Sequence, residues 1–411
     1  MPPRDLPREY SDDDIQIESD WDQVIDDFDK MGLKKNLLKG VYGYGLEKPS
    51  PVQQRAIMPL LNGRDLIMQA QSGTGKTAAF VIGILQKLDR SVNATQALIL
   101  APTRELAQQT QKVVLEIGQY MNIKCYACIG GTKVSKDVKK LESGLRVHVV
   151  VGTPGRLLDL IKRGALVMDK IKILCLDEAD EMLSRGFKIQ IMKVFEHLPQ
   201  EGIQVVTLSA TFPDAFHDTT KAIMGSNPVK ILVKRGQLTL EGIKQFFIIM
   251  ERPDWKLDTL CDLYTTETFT HPTVVFCNSR KKVDELVLQL EERELAAVAT
   301  HGKKQQKDRE DHLRDFRTGT SRVLISTDML ARGIDVQQVA VVINYDLPDS
   351  KEMYMHRIGR SGRFGRKGIA INFVTRKEIS KIREIEEYFS TQIEEMPLDI
   401  SILLRNISLS T

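Results

Sequence analysis

A glycine-rich segment that closes on a lysine and a threonine is the clearest candidate for chemistry in this chain. Residues 70–77 read AQSGTGKT, and an apolar stretch at 65–69 precedes them. Small residues let backbone N–H groups surround phosphate, while the lysine reaches the outer oxygens and the threonine hydroxyl suits Mg²⁺. A glycine turn before a core helix would explain the glycines but not the Lys-Thr pair. The pattern predicts a nucleoside triphosphate site built from Ser72, Gly73, Thr74, Gly75, Lys76 and Thr77.

A second candidate is a short apolar run that ends in three carboxylates. Residues 171–180 read IKILCLDEAD, as expected for a buried parallel strand with polar residues at its carboxyl end. Asp177 is suited to hold Mg²⁺, and Glu178 is placed to orient or deprotonate an attacking water. An acidic cluster alone is more often a solvated helix start. Combined with the phosphate segment, it predicts phosphoryl transfer to water, or coupling of that step to motion.

Composition limits the classes of protein that need to be considered. The 411 residues suggest two to three domains, and 58 basic against 55 acidic residues exclude a chromatin-like basic protein but not local basic patches. The five cysteines suggest reduced core thiols, and the CYAC spacing of Cys125 and Cys128 lacks a second pair for zinc. No apolar run has membrane-spanning length and no signal-peptide core is visible. We therefore expect a soluble intracellular protein that does not contact membranes.

The elements that position these residues alternate between apolar strand-like runs and helical stretches. This alternation predicts two α/β lobes with parallel sheets, of the P-loop NTPase type, joined by a short linker. We expect a flexible acidic tail at 1–20, a first lobe at 21–234, a linker at 235–242 and a second lobe at 243–411. The predicted strands are 66–68, 97–100, 147–151, 173–176, 205–208, 274–277, 296–300, 323–326, 339–345 and 369–374.

Polar or glycine-rich clusters follow nearly every predicted strand. In the first lobe they are PTREL, TPGR and SAT, and in the second they are NSR, HG and TD. Carboxyl ends of parallel strands share one edge of a sheet, so these clusters would line one edge of each lobe. Two such edges would allow the lobes to face each other across a cleft.

The ordered set of motifs resembles that of the DEAD-box ATP-dependent RNA helicases. The likeness covers residues 28–404 and includes GLEKPSPVQ, DEAD, ARGID and HRIGRSGR. It implies two RecA-like lobes that bind ATP and Mg²⁺, with arginine fingers reaching the γ-phosphate from the second lobe. A solvated basic helix is the alternative for the arginine-rich segment. The residues that this resemblance adds to the nucleotide site are Phe28, Gln53, Asp335, Arg360 and Arg363.

The same resemblance implies a coupling set and an RNA path. Coupling would involve Asp180, Ser209, Thr211 and His356. The implied RNA contacts are Thr103, Arg104, Gly130, Gly131, Thr153, Gly155, Arg156, Asn278, Ser279, Arg280, Gly302 and Thr327. Small residues and arginines there would bind phosphates without reading bases. Lys303 and Lys304 stand where related chains commonly show an acidic residue, and they lie either along the RNA path or on a solvated turn.

Several stretches, including ILVKRGQLTLEGIKQFF and STQIEEMPLDISILL, resemble the translation-initiation members of the family. The resemblance implies a cytoplasmic enzyme, monomeric alone, that closes on single-stranded RNA or mRNA, unwinds short duplexes or remodels ribonucleoprotein, and hydrolyses ATP to release. It also implies a HEAT-repeat scaffold such as initiation factor 4G and activators such as initiation factor 4B as partners. The alternative is a nuclear paralogue that clamps RNA in the exon junction complex. A DNA translocase is disfavoured by Gln53 and the DEAD-type set.

Overall fold

The computed structural model divides the chain into two compact units, Met1–Lys234 and Arg235–Thr411. The structure describes residues 17–70, 73–143, 147–184, 186–199, 201–211, 214–225, 227–233, 242–265, 271–331, 339–361 and 368–397. Ser72, Asp335, Arg363 and most of the predicted linker therefore lie outside the described residues. Each unit contains one mainly parallel sheet with helices, so the predicted fold class is confirmed.

The sheet of the first unit has the strand order β1-β8-β2-β7-β6-β3-β5-β4. Its strands are β1 (Ile17–Ser19), β2 (Leu66–Gln69), β3 (Ala97–Leu100), β4 (Cys125–Cys128), β5 (Val149–Gly152), β6 (Ile173–Leu176), β7 (Gln204–Ser209) and β8 (Val229–Val233). All neighbours run parallel except β1 and β8. The central strands are buried along their length, which explains their nearly continuous apolar runs.

The helices of the first unit are α1 (Lys35–Gly43), α2 (Pro51–Leu61), α3 (Lys76–Lys87), α4 (Arg104–Ile117), α5 (Val134–Glu142), α6 (Pro154–Lys162), α7 (Ala179–Ser184), α8 (Lys188–Glu196) and α9 (Asp214–Ile223). Helix α3 is buried at eight consecutive positions from Ala78 to Leu85, so it is a core helix. Gly83 allows α2 to approach it closely, because a Cβ there would lie 2.8 Å from Cβ of Leu60.

Strand β1 lies within the segment predicted to be a flexible acidic tail, and for these residues the prediction is wrong. It pairs antiparallel with β8, with Ile17 opposite Val233. The backbone N–H of Lys230 donates to the Asp20 carboxylate at 2.6 Å and holds the end of the strand. One apolar residue in three gives too weak a pattern to predict a strand, because backbone pairing supplies most of what holds it.

The sheet of the second unit has the order β11-β12-β10-β13-β14-β9-β15, and all its pairs are parallel. The strands are β9 (Ile243–Met250), β10 (Thr273–Phe276), β11 (Val298–Thr300), β12 (Val323–Ser326), β13 (Val341–Asn344), β14 (Gly368–Thr375) and β15 (Glu394–Glu395). The helices are α10 (Trp255–Thr265), α11 (Arg280–Glu291), α12 (Gln306–Arg317), α13 (Lys351–Ile358) and α14 (Ile379–Phe389).

Parallel pairing brings the carboxyl ends of the strands to one edge in each unit. The polar segments after β2, β3, β5, β6 and β7 therefore share an edge in the first unit, and those after β10, β11, β12 and β13 share one in the second. No helix in the described part of the chain is long and apolar enough to cross a membrane.

Candidate active site and nucleic-acid contacts

The predicted phosphate segment connects the buried strand β2 to the start of α3 at Lys76. Gly73 and Gly75 have φ of 90° and 87°, in the left-handed region that glycine adopts without strain. The Lys76 ammonium donates a hydrogen bond to the carbonyl of Ala70, which lies at the end of β2. The lysine therefore lies across the loop whose backbone groups the sequence predicts to surround phosphate.

Gln53 braces this loop from α2. Its side chain forms a capping box with Ser50, whose backbone N–H donates to Gln53 Oε1 at 2.9 Å. Gln53 Nε2 donates to the Gly75 carbonyl at 3.1 Å, and Ser50 Oγ donates to the Thr74 carbonyl at 2.8 Å. A Cβ on Gly75 would lie 2.4 Å from Gln53 Nε2, so this approach requires glycine. The structure places Gln53 at the nucleotide segment, while its adenine contact stays a prediction.

Phe28 lies in a different environment from the one expected of a base-stacking ring. Its side chain is fully buried, and its ring packs edge-on against Tyr42 with centroids 6.4 Å apart. An aromatic ring in this arrangement gains from burial and edge-to-face geometry. The structure therefore assigns Phe28 to the core of the first unit and leaves no open face on it for a nucleotide base.

Asp177 follows β6 directly. The Asp177 backbone N–H donates to the Leu100 carbonyl at 3.0 Å, and this bond fixes the residue between the ends of β6 and β3. Burial raises the pKa of Asp177 to about 6, and the Lys76 ammonium acts in the opposite direction. Asp177 Oδ2 is buried without a hydrogen-bond partner among the described residues. A buried, unsatisfied carboxylate oxygen close to a lysine is a suitable ligand for a cation or for a proton.

Glu178 stands at the turn between β6 and α7. Its φ is 50°, which is uncommon for a residue with a side chain and costs conformational energy. Its carbonyl accepts hydrogen bonds from the N–H groups of Glu181 at 3.1 Å and Met182 at 3.2 Å, and these bonds begin α7. The turn therefore places the glutamate at the carboxyl edge of the sheet.

The predicted coupling residues of the first unit are in direct contact. Thr211 Oγ1 donates to Asp180 Oδ2 at 2.6 Å, and the Thr211 N–H donates to Ser209 Oγ at 3.2 Å. These bonds join the end of β7 to the first turn of α7. A movement of either segment would therefore be transmitted to the other.

The oxygen donors at this edge fit a magnesium ion. Mg²⁺ prefers oxygen ligands and is commonly held by one or two carboxylates together with phosphate oxygens. Asp177 supplies a carboxylate oxygen without a described partner, and Thr77 supplies a hydroxyl. Within the described ranges, no group of three or more His, Cys, Asp or Glu could hold a metal by itself. The residues suit a metal that arrives with a nucleotide.

The first predicted RNA contacts lie where β3 leads into α4 and β4 into its following turn. Thr103 caps α4 by accepting the Leu106 N–H at 3.2 Å. The Arg104 guanidinium lies over Gly130 and Gly131, because a Cβ on Gly131 would be 2.2 Å from Arg104 Nη1. Gly131 has φ of 80°. The structure thus brings these four residues together on one surface.

Arg156 is engaged inside the unit. It is 9% exposed and forms an ion pair with Asp137, which Tyr126 also contacts at 2.9 Å. Its Nη2 donates to the Thr132 carbonyl at 2.7 Å. The guanidinium therefore holds the turn after β4, and it makes these contacts in place of the open phosphate contact expected from the sequence.

Thr153 and Gly155 lie at the amino end of α6, with Pro154 at its first position. A helix start leaves backbone N–H groups that can donate hydrogen bonds to an anion. A Cβ at Gly155 would meet no atom within 4 Å, so the space in front of this residue is open. Gly155 is thus positioned to contact phosphate through its backbone, whereas the Thr153 N–H donates to the Cys128 carbonyl at 3.3 Å.

The second-unit contacts lie at the carboxyl ends of β10, β11 and β12. Ser279 caps α11 by accepting the Lys282 N–H at 3.2 Å. Arg280 Nη2 would lie 3.8 Å from a Cβ on Gly302, so the segments after β10 and β11 are adjacent. Thr327 follows β12, which pairs with β10.

Lys303 and Lys304 differ in their surroundings. Lys304 Nζ lies 3.2 Å from Asp284 Oδ1, and the Lys304 side chain is 26% exposed. Asp284 also contacts His301 Nε2 at 3.0 Å. The Lys303 side chain is exposed. The charge of Lys304 is therefore compensated by Asp284, whereas Lys303 presents its charge to solvent.

Helix α13 carries the predicted His356 and one residue that the sequence analysis missed. Arg360 follows the helix, and its Nε donates to the His356 carbonyl at 3.3 Å. Between them, Arg357 is fully buried and contacts Asn278 Oδ1 at 2.7 Å. The dense basic run was the available signal, but type and spacing alone do not distinguish Arg357 from the two arginines chosen.

Comparison with known proteins gives consistent matches along the chain. The DEAD/DEAH box helicase family model matches residues 50–219, and the helicase conserved C-terminal domain model matches residues 255–365. A protein named ATP-dependent RNA helicase eIF4A from Mycosarcoma maydis is 60% identical over 391 residues, covering 95% of this chain and 94% of the relative. Its namesake from Schizosaccharomyces pombe is 58% identical over 392 residues, covering 95% and 98%.

Solved structures agree with this match. S. cerevisiae Dbp5 bound to RNA and ADP BeF3 is similar with a TM-score of 0.86 and 36% sequence identity. The similarity covers 94% of this chain and 100% of that chain.

Proposed function

This chain belongs to the DEAD/DEAH box helicases, and from that premise we propose how its residues divide the work of an ATP-dependent RNA helicase. The chain hydrolyses ATP and acts on RNA, with a role in translation initiation. Which residues perform each step is our proposal.

The first unit binds the ATP phosphates. Backbone groups of the loop that contains Gly73, Thr74 and Gly75 surround the phosphates, and the Lys76 ammonium leaves the Ala70 carbonyl to meet their outer oxygens. Gln53 adds a hydrogen bond to adenine. Its hydrogen bond to the Gly75 carbonyl then links adenine binding to the position of the phosphate loop.

Thr77 and Asp177 hold Mg²⁺ at the carboxyl edge of the sheet. A bound Mg²⁺ would offset negative charge on the β- and γ-phosphates. The observation that carries this proposal is the buried Asp177 carboxylate, one oxygen of which has no described partner, close to Lys76. Such a group is costly in a folded protein unless a ligand satisfies it.

Glu178 orients the attacking water or accepts its proton. The positive φ at this residue holds it at the strand end, next to Asp177. The hydrogen bonds of Thr211 to Asp180 and Ser209 transmit changes at the carboxylates to the segment after β7. Hydrolysis in the first unit is thereby coupled to RNA contacts on the same edge.

The second unit contributes the remaining groups of the proposed catalytic set. Arg360 and Arg363 bind γ-phosphate oxygens, since planar guanidinium groups offer paired donors. Asp335 contacts the nucleotide, and His356 couples it to RNA. Turnover then depends on RNA, because RNA favours the arrangement in which all these groups act together.

RNA is bound through its backbone by both units. In the first unit, Arg104 and the helix start at Thr153 and Gly155 meet phosphates, while Arg156 keeps the adjoining turn in place. In the second, Ser279, Arg280, Gly302 and Thr327 do so. Contacts of this kind do not read bases, so binding is largely independent of sequence.

The chain works in the cytoplasm on mRNA. Its partners are a HEAT-repeat scaffold such as initiation factor 4G and an activator such as initiation factor 4B. The identity of about 60% to helicases named for translation initiation, over 95% of the chain, supports this assignment.

The test is Glu178→Gln, which keeps the shape of the side chain and removes its basic group. We expect RNA-stimulated ATP hydrolysis to fall by about a hundredfold or more, while RNA binding in the presence of ATP is retained. The control is Glu196→Gln on α8, an exposed position, which should leave turnover unchanged. Loss of ATP-dependent RNA binding together with turnover would contradict the role given to Glu178.

A further inference from the structure

Arg357 is extensively hydrogen-bonded at the carboxyl edge of the second sheet. It is fully buried on α13, and its Nε donates to Asp328 Oδ1 at 2.5 Å. Its Nη1 donates to the Asp346 carbonyl at 2.6 Å and to Asn344 Oδ1 at 3.3 Å. Its Nη2 donates to Asn278 Oδ1 at 2.7 Å. One guanidinium thereby joins the ends of three parallel strands.

The three strand ends are those that carry the proposed RNA contacts or border them. Asn278 follows β10, immediately before Ser279 and Arg280. Asp328 follows β12 and adjoins Thr327. Asn344 and Asp346 lie at the end of β13, the other neighbour of β10 in the sheet. The position of one side chain therefore sets the spacing between separate RNA-contact segments.

Asp328 is the carboxylate that pairs with the Arg357 guanidinium, because the nearby Asp346 carboxylate is paired with lysines. Asp346 is paired with Lys282 Nζ at 2.8 Å and with Lys256 Nζ at 3.7 Å. Its second oxygen accepts the Asn278 N–H at 3.1 Å. Asp346 thus fixes the backbone of Asn278, while Arg357 fixes its side chain.

The amide of Asn278 is engaged at both ends. Its Oδ1 accepts from Arg357, and its Nδ2 donates to the Leu347 carbonyl at 2.8 Å. In this arrangement the side chain orients the chain at the start of α11, and one of the two N–H groups of Nδ2 is used on the Leu347 carbonyl. Ser279 and Arg280 follow Asn278 directly, so their placement depends on the bond from Arg357.

We propose that Arg357 is a positioning residue that holds the RNA-contact segments of the second unit in register and links them through α13 to His356 and Arg360. This inference rests on the proposed RNA contacts of the second unit. A lysine cannot replace it, because one ammonium at the end of a flexible chain cannot meet four acceptors spread around a planar fork.

The experiment is Arg357→Lys in the full chain, with steady-state ATPase measured against RNA and against ATP. We expect the RNA concentration for half-maximal stimulation to rise about tenfold or more, since several charge-assisted hydrogen bonds are lost. The KM for ATP at saturating RNA should change by less than about twofold, because no phosphate-binding group is altered. A general loss of folded protein would lower the turnover number instead and leave both half-saturation values in place.

A second variant tests the same link without emptying the buried site. Asp328→Asn keeps the shape of the partner and removes its charge, and the Asp328 side chain is 34% exposed. Asp328→Asn should also raise the RNA concentration for half-maximal stimulation (the RNA requirement), by a smaller factor than Arg357→Lys. The matched control is Tyr354→Phe on the same helix, which is equally buried and bonds Gln245 at 2.9 Å and Asn372 at 3.1 Å. Its link to the end of β13 is indirect, through Asn372, which accepts from Asn344 Nδ2 at 2.8 Å.

Tyr354→Phe should lower the melting temperature without changing the RNA requirement. The inference is overturned if Arg357→Lys and Asp328→Asn leave the RNA requirement unchanged, or if Tyr354→Phe raises it equally. Arg280→Ala separates this result from failure of the proposed RNA site. If Arg280→Ala weakens RNA binding while Arg357→Lys does not, only the positioning role fails. If Arg280→Ala has no effect, the second-unit RNA site itself is wrong.

Discussion

The carboxyl edges of the two sheets are built in opposite ways. In the first unit, Asp177 is buried with a raised pKa and an oxygen that lacks a described partner, and Glu178 has an unfavourable backbone conformation. In the second unit, the carboxylates at the strand ends are paired with buried or half-buried cations, with Arg357 on Asp328 and Lys282 on Asp346. The contrast concerns the carboxylates: one oxygen of Asp177 lacks a described partner at the first edge, whereas Asp328 and Asp346 at the second edge are paired with cations.

This difference is consistent with the roles proposed above for the carboxylates of each edge. Groups that carry out chemistry need altered pKa values and open coordination, so a fold keeps them at a cost in stability. Groups that bind an extended ligand whatever its sequence need a fixed spacing from one another. A network of satisfied hydrogen bonds provides this spacing. The comparison predicts large functional effects and stability gains from changes at the first edge, and smaller changes in affinity at the second.

The largest effect is expected for Lys76→Ala. A desolvated phosphate would lose its main positive partner, which costs about 3–5 kcal/mol, or roughly a hundredfold or more in ATP affinity. ATP binding and RNA-stimulated hydrolysis, measured against Lys39→Ala on the exposed side of α1, would show this. If Lys76→Ala hydrolyses ATP at the original rate, the assignment of the nucleotide site to the first edge is wrong.

The second effect concerns stability and pH. Burial raises the pKa of Asp177 from 3.8 to about 6, so the folded chain retains a proton that the unfolded chain releases between those values. The free energy of unfolding therefore falls as pH rises through this window, and the full penalty of about 3 kcal/mol applies above it. Asp177→Asn removes the penalty and should stabilise the ligand-free chain at neutral pH while abolishing hydrolysis.

Thermal unfolding between about pH 5 and about pH 7 tests this expectation. The melting temperature of Asp177→Asn should exceed that of the original chain by several degrees at neutral pH, and by less at the acidic end. Asp22→Asn is the control, because Asp22 is exposed. If the two melting temperatures are equal at neutral pH, or if their difference increases as the pH is lowered, the Asp177 carboxylate carries no such penalty.

The smallest effect separates two adjacent lysines at the second edge. Lys303 is exposed, whereas Lys304 is paired with Asp284 at 3.2 Å. If RNA passes here, Lys303→Met should lower the slope of log affinity against log salt by about 0.7, and Lys304→Met should lower it less. RNA affinity at several salt concentrations, with a non-hydrolysable ATP analogue present, gives both slopes. Unchanged slopes in both variants would make the pair a solvated turn.

Much of the fold followed from buried strands that read as continuous apolar runs. Strands β3, β6 and β12 have the predicted bounds, and the other predicted strands begin or end within three residues of theirs. The missed strands were β1, β4, β8, β9 and β15. Strands β1, β4, β8 and β15 are short, lie at sheet edges, or alternate buried and exposed positions, as Val229, Lys230 and Ile231 do in β8, so backbone pairing and not apolar content defines them. Strand β9 is different, because it lies between β14 and β15 and six of its eight residues are apolar, so its apolar content was an available signal that the sequence analysis did not use.

The candidate site was less fully predictable, because residue type does not show whether a side chain is buried or already paired with another residue. Phe28 and Arg156 were chosen as ligand contacts, and the structure places one in the core and the other in an ion pair with Asp137. Arg357 was missed because its partners come from strand ends 11 to 79 positions away in sequence. Motif spacing identifies segments, and only the packed sheet determines which side chains in them are open.

Within the part of the chain that the structure describes, the outermost strands of both sheets are short, with three residues in β1, four in β4, three in β11 and two in β15. An outer strand offers unpaired N–H and C=O groups to which another polypeptide can add, and short strands limit that offer. The outer strands of both sheets are in this way poorly suited to receive an extended polypeptide, while the carboxyl ends of the inner strands stay available for a ligand. Protection against self-assembly is thus built into the same sheets that present the polar segments.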